Sequence, residues 1–313
     1  MSNPVLRYGC TPLAVAAVCL LAACGRSGPL PVRSAASGGA AFQVVAAENF
    51  WGSLAAQLAG NRASVQSIIV SPGSDPHGYQ PSAGDARAIA AANVVLVNGV
   101  GYDSWAHQLL QASPSSARAV IDVGALLHLA PGANPHRWYF PADVRAVVNR
   151  IAADYERIDP ADASYFAQRR RWLLGDGFAR YDELRREIRA GYAGVTVGYS
   201  ESIFEGLGED LGLALRTPRS FAKAIAEGTD VTAADRSTVE QQVRDHGIAV
   251  WVFNSQNVTP DVERVNQLAR DARVPVASVT ETLTPPSASF EQWQVAQLEG
   301  LRSALRRATG RTR

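Results

Sequence analysis

Beyond residue 24 the chain has no cysteine. Its three cysteines are Cys10, Cys19 and Cys24. The remainder therefore has no thiol for a disulfide or a thiolate metal site. Lysine is nearly as scarce: Lys223 stands alone, and arginine carries the rest of the positive charge. The formal net charge is +1, which excludes the broad basic field of a nucleic-acid binder. The apolar run from Pro12 to Ala23 is too short to cross a bilayer as a helix. No H-E-x-x-H, G-x-S-x-G or G-x-x-x-x-G-K occurs, so the signatures of zinc proteases, serine hydrolases and phosphate loops are missing. There is no short-period repeat of the solenoid kind.

What is present is ample for a packed core. The chain has 313 residues, of which 47% are hydrophobic and 19% charged. That length corresponds to about two domains. The opening "MSNPVLRYGCTPLAVAAVCLLAACGRSG" has Arg7 as a weak positive start, then an apolar run that ends in small residues. This is the pattern of a cleaved export signal. "LAAC" at 21–24, followed by Gly25, resembles the lipobox of bacterial lipoproteins. The resemblance implies cleavage before Cys24 and lipidation of its thiol. Residues 25–41 are rich in Gly, Ser, Ala and Pro, contain no acid, and read as a flexible tether. The expectation is a signal peptide over 1–23, a tether over 24–41, and a soluble body held by lipid at the outer face of the cell membrane.

The body alternates. A strand at 42–47 leads to a helix near 50–59. "SVQSIIVSP", "NVVLVNG" and "ARAVIDVG" read as strands, with helical "AGDARAIAAA" and "SWAHQLLQAS" between them. From Pro141 two helical stretches follow with no strand between them. Gly175 and Gly177 weaken the second, by up to about 1 kcal/mol each against alanine. Alternation then resumes through "AGVTVGYS", "LALRTP", "IAVWVFNS" and "VPVASVT" to a closing helix. Strand–helix alternation predicts mostly parallel sheets flanked by helices. The fold class is α/β with two lobes: 42–160, a connecting helix over 161–190, and 191–313.

Histidine occurs five times, and two copies share a frame: "GSDPHGYQP" at 73–81 and "NPHRWYFP" at 134–141. The proline restrains the residue before it to extended geometry, which aims the loop. In open parallel sheets, ligands bind beyond the carboxyl ends of strands. His77, His136, Glu201 and Glu281 all follow predicted strands. Two imidazoles and two carboxylates suit a divalent metal held between lobes. Glu201 also precedes a predicted helix, where the dipole alone favours an acid. Glu205, Glu209 and Asp210 read as solvent-facing. His107, His128 and His246 read as structural.

These stretches resemble the metal-binding substrate-binding proteins of bacterial ABC transporters, over roughly residues 42–308. In that family the histidine of a DPH loop is the first metal ligand, and His77 matches it. "NPHRWYFP" is similar to the second histidine loop, which implies His136. Asn134 and Phe140 stand where the family often has aspartate. "GYSESIFEGLGEDLGL" matches the glutamate form of the third ligand, Glu201. "VPVASVTETLTPP" offers Glu281 where aspartate is common. The histidine-rich loop of many zinc-specific members is absent from "LLHLAPGAN". The resemblance implies capture of manganese or zinc, with iron possible, and delivery to an ABC permease and its ATPase. It implies no catalysis and no nucleic acid, and a monomer is expected. The ligand set tilts towards manganese without excluding zinc. The rival readings are a metal-dependent hydrolase and a surface adhesin or scaffold.

Overall fold

A computed structural model describes residues 42–73 and 78–311. The chain opens with β1 (Phe42–Glu48), α1 (Asn49–Ala59), β2 (Ala63–Ile69), α2 (Ala83–Ala91) and β3 (Val94–Val97). Next come α3 (Ser104–Ala112), β4 (Ala119–Asp122) and the short α4 (Val123–Leu126). Three helices follow without a strand: α5 (Pro141–Ile158), α6 (Ala163–Trp172) and α7 (Ala179–Tyr192). The second half contains β5 (Thr196–Tyr199), α8 (Glu205–Asp210), β6 (Ala214–Leu215), α9 (Arg219–Ala226) and α10 (Ala233–Arg244). It ends with β7 (Val250–Asn254), α11 (Pro260–Asp271), β8 (Val276–Val279) and α12 (Phe290–Thr309).

The strands form two parallel four-stranded sheets, ordered β2-β1-β3-β4 and β6-β5-β7-β8. The two orders are the same topology used twice. In each, the connection reverses direction beside the first strand, between β1 and β3 and between β5 and β7. Crevices for ligands form beyond the carboxyl ends of the strands at such reversals. β3, with sequence VVLV, is buried throughout, as a strand covered on both faces should be. The helix starts are written in the sequence. Ser82 and Ser289 form capping boxes with Asp85 and Gln292, and Thr259 caps α11 just before Pro260.

The expected α/β architecture holds, with local revisions. The stretch anticipated as one connecting helix over 161–190 is two α-segments, α6 and α7, joined by a π-helical turn at Leu173–Gly177. Gly175 and Gly177 loosen the helical backbone there, while Leu173 stays fully buried. α6 packs on α1 and α7 packs on α12, so the pair runs from one sheet's helices to the other's. The strand expected in "LALRTP" is only two residues long, and the helix expected from Ser202 begins as a 3₁₀ turn, Ser202–Phe204.

A continuous apolar core joins the two halves. Phe50 stacks on Trp138 at 3.9 Å between ring centroids, and Trp138, Tyr139, Tyr181, Phe290 and Trp293 continue the cluster. Polar bonds cross as well. Gln57 donates to Glu291 at 2.9 Å, and Ser53 Oγ accepts from the Phe290 amide at 2.9 Å. Asn49 Oδ1 accepts from the Leu283 amide at 3.2 Å, and the Tyr139 hydroxyl lies 2.8 Å from the Thr280 carbonyl.

Candidate metal centre

Three of the four anticipated ligands converge. His136 sits in the loop after α4, Glu201 two residues past β5, and Glu281 two residues past β8. One ligating atom from each lies within 4.8 Å of the others. Their exposures are 0%, 1% and 8%. His136 Nε2 is 3.4 Å from Glu201 Oε1. His77 and Cys24 lie outside the described residues, and so do the signal peptide and tether.

Asn134 aims the histidine. Its Oδ1 accepts from the His136 backbone amide at 3.0 Å and lies 2.9 Å from His136 Nδ1. Its Nδ2 donates to the Ser202 carbonyl at 2.7 Å, which fixes which end of the amide faces the ring. An amide oxygen can only accept, so Nδ1 carries a proton and Nε2 is the ring nitrogen turned towards Glu201. Asparagine thus performs the orienting role without aspartate's charge. Asn98 braces the same loop: its Nδ2 donates to the Pro135 carbonyl at 2.9 Å, and its Oδ1 accepts from Trp51 Nε1 at 3.1 Å.

The acids are held from the second sheet. Asn254, fully buried at the end of β7, donates through Nδ2 to Glu201 Oε2 and to Glu281 Oε1, each at 2.9 Å. Asn257 Nδ2 donates to Glu201 Oε2 at 3.2 Å. Gln256 Oε1 accepts from the backbone amides of Glu281 and Thr282 at 2.8 and 3.0 Å. From the first sheet, the Tyr102 hydroxyl donates to Glu281 Oε2 at 2.8 Å. Burial, then the charges of Glu281 and Glu48, push the Tyr102 phenol well above its ordinary range, so it stays a donor.

A family model described as zinc-uptake complex component A, periplasmic, matches residues 44–304. The chain belongs to this family. The "manganese-binding lipoprotein MntA" of Halalkalibacterium halodurans is 29% identical over 143 residues, covering 44% of this chain and 47% of that one. The "iron-binding protein YfeA" of Yersinia pestis is 29% identical over 131 residues, covering 40% and 42%. The chain therefore spans under half the length of these two relatives. Among solved structures, FpvC of Pseudomonas aeruginosa with Mn2+ superposes with a TM-score of 0.68 at 21% identity, covering 85% of this chain and 99% of that one. The periplasmic zinc-binding protein TroA of Treponema pallidum also reaches 0.68, at 15% identity, with 86% and 99% covered. These likenesses establish the two-sheet fold. A family of solute-binding proteins, rather than of enzymes, is the setting for this site.

Beneath the centre, Glu48 ends β1 with no exposure. Neither of its oxygens has a well-formed hydrogen bond among the described residues. Burial, then the neighbouring Asp103 carboxylate, raises its carboxyl well above the usual range. Asp103 is also raised by burial, but the amides of Asn98 and Gly99 bond it at 2.6 and 2.8 Å. Of the two carboxyls, Glu48 is the one raised further, because no amide bonds offset its burial.

The remaining histidines stand apart. His107 lies 3.4 Å from Asp122, and exposed His128 and His246 adopt positive φ where helices close. Glu205, read from sequence as solvent-facing, instead turns inward. It accepts from Asn134 at 3.3 Å and from the Tyr199 hydroxyl at 3.2 Å. Sequence reasoning missed Tyr102, Asn254, Gln256 and Asn257. The strand-end rule does reach Asn254, but a search confined to metal-ligating side chains passes over an amide.

Proposed function

We propose that the protein is the extracytoplasmic substrate-binding component of an ABC importer for a divalent transition metal, manganese or zinc. His77, His136, Glu201 and Glu281 are the ligands in this reading, and Cys24 carries the lipid. An ABC permease and its ATPase receive the ion. The observation that carries the reading is the burial of His136, Glu201 and Glu281 with their ligating atoms within 4.8 Å of one another. Three such groups are costly to bury together unless a cation compensates them. Two neutral imidazoles and two carboxylates neutralise a divalent ion. Four protein ligands also close the coordination sphere, whereas a hydrolytic zinc keeps a position open for water. Binding without chemistry is the consequence.

Native mass spectrometry of the protein, purified without added metal and then titrated, tests this. One ion per chain is expected. His77→Ala and His136→Ala should each weaken binding by orders of magnitude, while His107→Ala and His128→Ala should bind normally. Unchanged affinity in the first pair would remove those histidines from the site. The anchor is tested separately. Expressed with its signal in a bacterium, the wild-type chain should partition into detergent, and Cys24→Ala should not.

A further inference from the structure

We infer that Arg170, Arg171 and Trp172, at the end of α6, form a docking surface for the anionic phospholipid headgroups of the membrane that holds the chain. The inference takes its setting from the lipid-anchor reading above. Charge comes first. From Ala163 to Gly175 the chain carries Arg169, Arg170 and Arg171 and no acid. Asp162 and Asp176 bracket this stretch, and Asp162 is engaged by Arg62 at 3.2 Å. Arg169 has a structural task, since its Nε donates to the Gln57 carbonyl at 2.8 Å. The side chains of Arg170 and Arg171 make no hydrogen bond or ion pair among the described residues. In α7, by contrast, Arg180 pairs with Glu183 and Arg185 with Asp182 and Asp210.

Trp172 supplies the apolar half. The other tryptophans, Trp51, Trp105, Trp138, Trp251 and Trp293, are 0–5% exposed, whereas Trp172 is 40% exposed. Arg169, one turn earlier, lies over its ring with the guanidinium carbon 4.9 Å from the centroid. That contact keeps the indole on the helix surface. An indole with arginines beside it suits the headgroup layer of a bilayer. The ring is apolar with one polar edge, and each guanidinium can pair with a phosphate through two parallel hydrogen bonds.

The place where the chain enters the fold points to the occupant. The described residues begin at Phe42, whose ring lies 6.1 Å from that of Phe166 on α6. Trp172 is further along the same helix by about 9 Å, at 1.5 Å per residue. A Gly- and Ser-rich linker as long as the stretch 25–41 spans about 20–25 Å on average. Lipid is then at high effective concentration, and a few contacts suffice. That stretch itself carries Arg26 and Arg33 and no acid. Its charge opposes packing on the patch, whereas phosphate complements the patch. Position has a consequence for the ion as well. Gln57, which Arg169 grips, is in the last turn of α1, and α1 runs from the carboxyl end of β1 back towards its amino end. The patch therefore lies at the opposite end of the first sheet from the metal centre. Docking through it leaves the centre open to ions outside.

The test places the full lipidated chain on vesicles of phosphatidylcholine, alone or mixed with phosphatidylglycerol. Acrylamide, a neutral quencher in water, and lipids brominated on their acyl chains read Trp172. The same chain with Trp172→Phe gives the background to subtract. On mixed vesicles Trp172 should be shielded from acrylamide and quenched by brominated lipid; on phosphatidylcholine alone it should be neither. Salt at about 1 M, where the screening length is about 3 Å, should abolish the difference. Arg170→Gln and Arg171→Gln should each lower the ratio of shielded to accessible Trp172 by about fivefold. Arg264→Gln removes the same charge from α11, beside the second sheet, and should leave the ratio unchanged. Equal accessibility on the two vesicles overturns the inference. So does an equal loss in the Arg264 variant, or shielding that survives loss of both Arg170 and Arg171. Shielding without any vesicle would mean that the chain covers its own patch, and it overturns the inference too. A chain that fails to float with phosphatidylcholine vesicles removes the anchor reading alone. The patch is then read on that chain mixed with the anionic vesicles, where a lack of salt-sensitive shielding overturns it.

Discussion

At the residue scale, Glu48 is the group with the clearest pH signature. Its folded-state carboxyl is raised by burial and by Asp103. An unfolded glutamate titrates near about pH 4.3. Above that value the folded chain binds more protons than the unfolded one, so stability falls as pH rises, until the folded value is passed. One such group contributes a slope of at most about 1.4 kcal/mol per pH unit. Glu48→Gln keeps the shape and removes the titration. In metal-free protein the variant should melt above the parent at pH 8, and the two should converge near pH 5. A parent equal to or more stable than the variant at pH 8 would mean that Glu48 is ionised without cost. Residues of this kind mark the limit of what sequence shows. His136, Glu201 and Glu281 were legible because their types and strand-end positions point to a metal. Glu48 and Asn254 occupy equivalent strand ends, but their roles depend on what lies a few ångströms away in distant segments. Asn134 was visible only as a departure from aspartate, and its hydrogen bonds show it orienting the ring all the same.

At the scale of elements, the joint between α8 and the His136 loop is unusually close. A Cβ at Gly206 would lie 2.4 Å from Phe140 Cδ2, so the ring lies directly against the helix backbone. Arg137 covers Phe140, its guanidinium carbon 3.6 Å from the ring centroid. Phe140 therefore ties the His136 loop to α8 by packing. Gly206→Ala should cost about 1–3 kcal/mol by overpacking, and by shifting residues 134–136 it should also weaken metal binding. Melting and metal titration of the same variant test both halves; full stability with full affinity would show that the contact yields freely. The element pattern itself was largely readable, because helix caps and buried β-branched runs are local signals. α9 was not, since "RSFAKAIA" is a single short amphipathic stretch between turns. The break at Leu173–Gly177 was foreshadowed by two glycines, but its π-helical form depends on Leu173 keeping its place in the core.

At the scale of the whole molecule, the two halves have little freedom to hinge. The α6–α7 pair, the shared aromatic core, and the bonds from Asn49, Ser53 and Gln57 to residues 283, 290 and 291 all cross between them. Any closure that swung the sheets as rigid bodies would have to break several of these at once. The ion should therefore order the ligand loops and shift the halves modestly, not draw them together as a flytrap. Binding to the folded state alone must still raise stability by mass action, by about 2.7 kcal/mol when free metal is a hundredfold above its dissociation constant. An imidazole must be neutral to ligate and ordinarily protonates near about pH 6.5. The metal-induced rise in melting temperature should accordingly shrink below about pH 6. Small-angle scattering with and without metal, together with melting curves from neutral pH down to about pH 5, measures both effects. A large compaction would sink the rigid coupling of the halves. A stabilisation that persisted undiminished at the acid end would count against histidine ligation, because protonation would then be costing the complex nothing.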